Sequence, residues 1–369
     1  MIVPSRRELA DTYNVSLGTI ERAMAELLAD GTLTARDRRG TFVSHRNGSL
    51  ESAPTQSEAP PRTATIGVVC PLIERVDEAE WEISWDYAIV SAVERSIAAL
   101  GMRSRFAPIV GANRTQTPVE PVVESLLADG VDGLLFVLVN GPQVDPLAIR
   151  FGTGDPALPP AVFIIGAERL IPGTCVYYDN KDAGYRAARH LIHQGCERLQ
   201  FLAPYAADFA ERRLQGVSRA AALAGLPPER LERWIDPRPI DSFTNAEHTG
   251  KGLRWLDHKI AGYEWARQTL SSGLRPEGVV AANDEVAAGF LAAASEGGLT
   301  AGRDYAIVGF DDMPVARTHG VTTMRPPLEA MAEKAVRLVV EAVDGRTIGE
   351  AVSLHSQLIV RQSSHRQNS

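Results

Sequence analysis

Arg36, Arg38 and Arg39 crowd a turn that closes at Gly40. Guanidinium groups at that density suit contacts with phosphate oxygens. Residues 1–46 hold seven arginines against six carboxylates, whereas the whole chain carries a net charge of −8. A chain-wide coat for nucleic acid is therefore excluded, and any DNA contact must come from this local patch. Nothing in the sequence asks for covalent chemistry. There is no nucleophile elbow, no GxGxxG and no phosphate-cradling GxxxxGK[ST], so no catalytic residue and no cofactor is expected. His190 and His193 stand three apart without a carboxylate to complete a metal site, and His248 and His258 are isolated. Surface or packing roles are expected for all four. Cys70, Cys175 and Cys196 lack metal-ligand spacing. Three isolated cysteines fit reduced, buried side chains better than a disulfide frame.

The elements that must position the arginine turn can be read directly. Ser5 caps a helix, with Glu8 completing the capping box, and Leu9, Ala10 and Tyr13 face inward. Asn14 and Val15 turn the chain. Ser16 caps a second helix whose Ile20, Met24, Leu27 and Leu28 share one face, and Asp30-Gly31 ends it. Two short strands, 33–35 and 41–43, flank the basic turn. This outline is a winged helix-turn-helix, in which the second helix enters the major groove and the wing reaches phosphate or the minor groove.

The stretch PSRRELADTYNVSLGTIERAMAELLADGTLTARDRRGTFV resembles the gluconate-repressor (GntR) family of winged-helix regulators. By position, that resemblance implies DNA-contact roles for Arg7, Ser16, Gly18, Thr19, Arg39, Gly40 and Thr41, with Arg22 and Arg38 added as neighbouring cations. The family usually carries arginines where this chain has Leu17 and Glu21. A glutamate can accept from cytosine N4 but repels phosphate, and Arg22 offsets that only in part. The family also has a helix before the PSRRE stretch, so the first helix of residues 1–46 is expected to be missing.

A length of 369 residues implies more than one domain. Residues 47–62, NGSLESAPTQSEAPPR, are too poor in apolar side chains to fold and are expected to form a flexible linker. No apolar run reaches the ~18 residues needed to span a bilayer, and residues 1–10 do not form a secretory signal. A cytoplasmic protein without membrane partners is expected. From residue 63, short apolar runs alternate with helical patterns: strands at 66–69, 133–139, 162–165, 199–203, 279–281 and 305–310, and helices at 85–100, 119–129, 183–194 and 284–296. Such alternation predicts an α/β fold of parallel sheets with helices on both faces, and ligands at the C-terminal ends of the strands.

Residues 63–364 resemble the sensor of the lactose/galactose repressor (LacI/GalR) family, itself similar to periplasmic sugar-binding proteins. The carrying segments are VYYDNKDAGYRAARHLIHQGCERLQFL (176–202), ERRLQGVSRAAALAGL (211–226), VVAANDEVAAGFLAAASEGGL (279–299), DYAIVGFDDMPVA (304–316), VTTMRPPLEAMAEKAVRLVVEAV (321–343) and LHSQLIVRQSS (354–364). A GntR-type head on a LacI-type sensor is the arrangement of arabinose repressors. The resemblance implies a two-lobed sensor: lobe 1 over 63–178 and 312–345, lobe 2 over 179–311 and 346–369. It implies a homodimeric transcription repressor that binds palindromic operator DNA and is released by a small carbohydrate.

A sugar pocket needs planar bidentate groups and an aromatic wall. The family places a sugar-binding arginine at Arg213, an amide at Asn283 and a carboxylate at Asp311. Trp85, Asp86 and Arg169 are added from the first lobe, near strand ends or helix starts. Two stretches depart from the family: 74–85 replaces a short Asn-Pro-Phe-like run, and 240–260 is longer than usual. Asp284 and Asp312 are expected to cap helices or turns, Asp179-Asn180 to form a turn or cap at the lobe crossover, Gly184 and Gly309 to serve packing or turns, and Trp81 and Trp255 to cover apolar surface. The competing reading is a solute-binding protein for a transporter. It would need an export signal and no DNA-binding head.

Overall fold

The computed structural model describes residue 20, residues 23–24, 33–36, 40–43, 63–70, 85–109, 119–137, 144–152, 155–166, 171–235, 254–346 and 349–365. The chain divides into two compact units, Met1–Pro61 and Arg62–Ser369. In the first, strands β1 (Leu33–Arg36) and β2 (Gly40–Val43) pair antiparallel, with Arg36 opposite Gly40. Ile20 and Met24 are helical, and Met24 is buried. Gly40 and Thr41 thus open the second strand of a hairpin. The other expected DNA contacts, Arg7, Ser16, Gly18, Thr19, Arg22, Arg38 and Arg39, lie outside the described residues, as does the linker.

The second unit is built on two six-stranded sheets. The first has the order β13-β7-β6-β5-β3-β4, all parallel. Its strands are β3 (Thr65–Cys70), β4 (Arg103–Pro108), β5 (Gly133–Val137), β6 (Ala161–Ile164), β7 (Thr174–Tyr178) and β13 (Ala351–Leu354). The buried strands alternate faces as the pleat requires. Ile66, Val68, Leu135 and Val137 join one core with helices α1 (Trp85–Ala99) and α9 (Leu328–Val343). Val69, Leu134 and Phe136 face the other way, toward α2 (Val119–Ala128) and α3 (Val144–Gly152).

The second sheet has the order β14-β12-β11-β10-β8-β9, parallel except for β14. It comprises β8 (Leu199–Ala203), β9 (Leu231–Ile235), β10 (Gly278–Ala281), β11 (Ala306–Phe310), β12 (Thr322–Arg325) and β14 (Gln357–Ile359). Its helices are α4 (Asn180–His193), α5 (Asp208–Leu223), α6 (Arg254–Ser271), α7 (Asp284–Glu296) and the short α8 (Pro314–Thr318). Strands β8, β10 and β11 are buried throughout, the pattern of a parallel sheet covered on both faces.

The chain passes between the sheets three times: at Asp179, at Pro326-Pro327 and at His355-Ser356. The crossover at Asp179 falls where the sequence reading placed the first lobe boundary, and the other two do not. Residues 314–325 stay with the second sheet through α8 and β12, and return to the first lobe only with α9. The segment after α9 adds β13 to the first sheet before β14 closes the second. The physical reason is that β12 continues the parallel ladder of β11, pairing Val308 with Thr322, and nothing in its apolar pattern announces which sheet it joins. The crossovers are tied together: Asp179 N–H donates to Leu354 O at 2.9 Å, the Arg186 guanidinium donates to Ser356 O, and His355 meets Asp182 at 3.2 Å.

Cys70, Cys175 and Cys196 are buried thiols that form no disulfide. Among the described residues, no helix is long and apolar enough to cross a membrane, and no group of His, Cys, Asp or Glu could hold a metal ion.

Candidate effector site

Strands β8, β10 and β11 are neighbours at the centre of the second sheet, and their C-terminal ends carry Tyr205, Asn283 and Asp311. This is where a parallel α/β sheet presents side chains to a ligand. Arg213 reaches the same point from α5. It can do so because α4 and α5 lie in backbone contact: a Cβ on Gly184 would sit 2.0 Å from Arg213 O, and one on Gly216 2.0 Å from Lys181 O. Gly184 is therefore a packing position, as expected.

Arg213 is the hub, with only 2% of its surface exposed. Its Nε donates to Asn180 Oδ1 at 2.9 Å, its Nη1 to Ala282 O, and its Nη2 to Tyr178 Oη and to Asp311 Oδ1, the last at 3.2 Å. Aromatic faces enclose it, with the guanidinium carbon 4.2 Å from the Phe310 ring centre and 4.8 Å from that of Phe209. A buried cation needs this saturation, since burying a charge is costly unless it is paired and hydrogen-bonded. Tyr178 ends β7 of the first sheet, so the Arg213–Tyr178 bond joins the two lobes. Burial pushes the Tyr178 and Tyr205 hydroxyls up, so both remain neutral donors and acceptors.

Asn283 is the N-cap of α7, its Oδ1 accepting from Val286 N–H at 2.9 Å. Its Nδ2 lies 3.1 Å from Tyr205 Oη and 2.9 Å from His258 Nδ1. The His258 ring lies against that of Tyr205, centres 4.7 Å apart and planes inclined at 31°, and its Nδ1 is 3.5 Å from Glu285. His258 therefore belongs to the site, contrary to the surface or packing role read from the sequence. It arrives on α6, which begins at Arg254, inside the long stretch 240–260.

Asp311 and Asp312 both have positive φ, 96° and 51°, a costly backbone for residues other than glycine. Their neighbours hold the turn. Asp311 N–H donates to Met324 O at 2.9 Å, Asp312 N–H to Thr323 Oγ1 at 3.2 Å, and Met313 N–H to Asp284 Oδ2 at 2.9 Å. The Asp312 carboxylate pairs with Arg325 at 2.7 Å and Arg361 at 2.5 Å. Asp284 and Asp312 are thus clamps on the Asp311 turn; Asn283, not Asp284, caps the helix. Burial raises the Asp311 carboxyl, and the Arg213 charge opposes that rise.

Of the expected effector residues, Arg213 and Asp311 are paired, and Asn283 follows Ala282, whose carbonyl accepts from Arg213 Nη1. Trp85 stands at the start of α1 with its ring 6.4 Å from that of Tyr178. The Asp86 side chain and Arg169 lie outside the described residues. The sequence reading missed Tyr178, Asn180, Tyr205 and His258. Tyr178 and Tyr205 lie at or just past strand ends, the one local signal that could have found them.

Residues 188–364 match the model of a periplasmic binding protein-like domain, and residues 1–43 that of bacterial regulatory proteins of the gntR family. The lactose operon repressor of Rhizobium radiobacter is 42% identical over 104 residues, spanning 28% of this chain and 92% of that one. The chain belongs to the LacI/GalR repressors, with a GntR-type head. This GntR-headed LacI-type repressor is also similar along nearly its whole length to the arabinose metabolism transcriptional repressor of Geobacillus stearothermophilus. That match is 26% identical over 370 residues, covering 98% of this chain and 91% of the other. Its fold is that of the transcriptional regulator CelR in complex with cellobiose, with a TM-score of 0.62, 21% identity, and coverage of 98% and 100%. It is a transcription regulator rather than an enzyme.

Proposed function

We propose that this repressor binds palindromic operator DNA as a homodimer and is released by a small carbohydrate held in the Arg213–Asn283–Asp311 cluster. The supporting observation is Arg213, a buried cation at the strand ends of the second lobe that is bonded to Tyr178 of the first sheet. A ligand that competes for Asp311 or Tyr178 acts on a buried hub that bonds one lobe to the other. Lobe closure then changes the placement of two heads on a two-fold site. Residues 1–46 would serve as the DNA-binding domain, 47–62 as the tether and 63–369 as the sensor. Arg7, Ser16, Gly18, Thr19, Arg22, Arg38, Arg39, Gly40 and Thr41 would face DNA, and Trp85, Asp86 and Arg169 would close the pocket from the first lobe. Such a protein works in the cytoplasm, where operator DNA is found. The test is to select duplexes from a random palindromic pool with the full chain, then add pentoses, hexoses and disaccharides. Release by one sugar supports the reading. A chain that retains no duplex but binds sugar would instead be a solute-binding protein.

A further inference from the structure

Residues 361–364 leave β14 and lie against the start of β12. Ser363 Oγ donates to Ile307 O at 2.7 Å and accepts the Thr322 N–H at 2.8 Å, and the Ser363 N–H donates to Gly320 O at 3.0 Å. Ser364 Oγ lies 2.6 Å from Thr322 Oγ1 and 2.7 Å from His190 Nε2 of α4. Both serines are buried. The segment is thus seated firmly in the second lobe, on the strand that follows the Asp311 turn.

Arg361 opens this segment and is held at both its backbone and its side chain. Its N–H donates to Thr322 Oγ1 at 2.8 Å. Its Nη1 donates to Val321 O at 2.8 Å, and its Nη2 to Asp312 Oδ1 at 2.5 Å. Asp312 and Val321 stand at the two ends of the connection that carries α8 from β11 to β12. The planar guanidinium therefore staples that connection with two bonds in one rigid fork. Arg325 takes the other Asp312 oxygen at 2.7 Å, but its side chain is 47% exposed against 17% for Arg361. Arg325 balances charge from the solvent side, whereas Arg361 fixes position. The carboxylate they share belongs to the second residue of the left-handed pair Asp311-Asp312. Backbone of that kind persists only where surrounding bonds over-determine it.

Taking Asp311 as part of the effector pocket, we infer that Arg361 is a positioning residue for the sugar: by stapling Asp312 to Val321 it holds the neighbouring Asp311 carboxylate at the strand ends. Without the staple, the turn relaxes toward ordinary backbone. The Asp311 oxygen that now lies 3.2 Å from Arg213 Nη2 then leaves the place where it can take a sugar hydroxyl. Arg361 acts through Asp312 and is not itself a ligand contact.

The experiment is calorimetric titration of the full chain with arabinose, ribose, galactose and cellobiose, in the wild type, Arg361→Met, Arg361→Lys and Arg325→Met, with the unfolding midpoint of each. Arg361→Met keeps Asp312 paired with Arg325, so the chain is expected to fold. It should bind the sugar that the wild type binds about tenfold or more weakly, the worth of one hydrogen bond to a charged group. Arg361→Lys keeps the charge without the fork, and should lose affinity with little change in midpoint. Arg325→Met should stay within about twofold of the wild type. A role confined to stability would instead make affinity track the midpoint in all three. Wild-type affinity in a folded Arg361→Met, or in Arg361→Lys where the Met variant does not fold, overturns the inference and leaves the carbohydrate reading in place. An equal loss in Arg325→Met overturns it too, because charge balance alone would then explain the effect. Binding of none of the four sugars by the wild type removes the carbohydrate reading, and the inference with it.

Discussion

Asp284 accepts the main-chain N–H of Met313 at 2.9 Å from a position with no exposed surface. Its other carboxylate oxygen is buried without a hydrogen-bond partner. Space for the group exists because residue 309 is glycine: a Cβ there would lie 2.3 Å from Asp284 Oδ1. Burial, reinforced by the Asp311 charge, holds the Asp284 carboxyl well above the usual carboxylate range. At this point the acid steadies the strained turn by accepting the Met313 N–H, while burial and Asp311 both disfavour a second charge there.

The sign of the pH effect follows. An acid whose folded value lies above its unfolded value of about 3.9 contributes stability that is fully present below that value. The contribution is lost as pH rises through the folded value. Asp284→Asn carries no such dependence and can still accept the Met313 N–H. Its unfolding midpoint, measured by circular dichroism, should gain on the wild type as pH rises from 4 to 8. Asp284→Ala removes the acceptor and should cost about 1–3 kcal/mol. A constant gap between wild type and Asp284→Asn across that range would mean that Asp284 is ionised throughout.

Arg213 and Asp311 form a largely buried pair, and its removal should depend on which partner is left behind. Arg213→Met leaves Asp311, Tyr178 and Asn180 without their shared donor and should destabilise the chain by about 3–5 kcal/mol. Adding Asp311→Asn should recover part of that loss, because no uncompensated charge remains. Denaturant midpoints of the two single variants and the double variant measure the coupling. Strict additivity would show that the pair carries no interaction energy.

Gly216 makes a separate claim about positioning. A methyl group there meets Lys181 O of the neighbouring helix at 2.0 Å. Gly216→Ala must push α4 and α5 apart, at a cost of about 3 kcal/mol or more. Because Arg213 rides on α5, sugar binding should weaken even where the variant still folds. A variant as stable as the wild type would refute the close approach.

The tether gives a fourth prediction. Residues 47–62 combine prolines with glutamates and contain no large apolar residue beyond Leu50. If ligand binding acts by changing the reach of the heads, Gly-Ser insertions in this stretch should progressively blunt sugar-induced release. Release that stays unchanged over long insertions, measured by DNA anisotropy, would show that head placement does not carry the signal.

The parallel sheets were legible because their strands are short apolar runs between helical patterns, and the strand 199–203 and helix 284–296 agree with the structure to the residue. The lobe assignment of 314–325 and 351–354 was not legible. A buried strand reads the same whichever sheet it joins, and the two later crossovers, unlike the one at Asp179, were not read from any local mark. Arg213, Asn283 and Asp311 came from position within family motifs. Asn180 was read as a turn or cap residue because it follows Asp179, which does cap α4. Its bond to Arg213, 33 positions away, is a tertiary fact. His258 was hidden for the same reason, since an isolated histidine acquires meaning only when Asn283, Tyr205 and Glu285 are brought around it.

The central claim is that the Arg213–Asp311 cluster links sugar to DNA. The most direct measurement is the affinity of the full chain for a selected operator, with and without the sugar that raises its unfolding midpoint, in the wild type and in Asp311→Ala. Linkage requires the sugar to weaken DNA binding by the same factor that DNA weakens sugar binding. The account predicts that reciprocal factor in the wild type, and in Asp311→Ala full DNA affinity with no response to sugar. Sugar-induced release that persists undiminished in Asp311→Ala would contradict it.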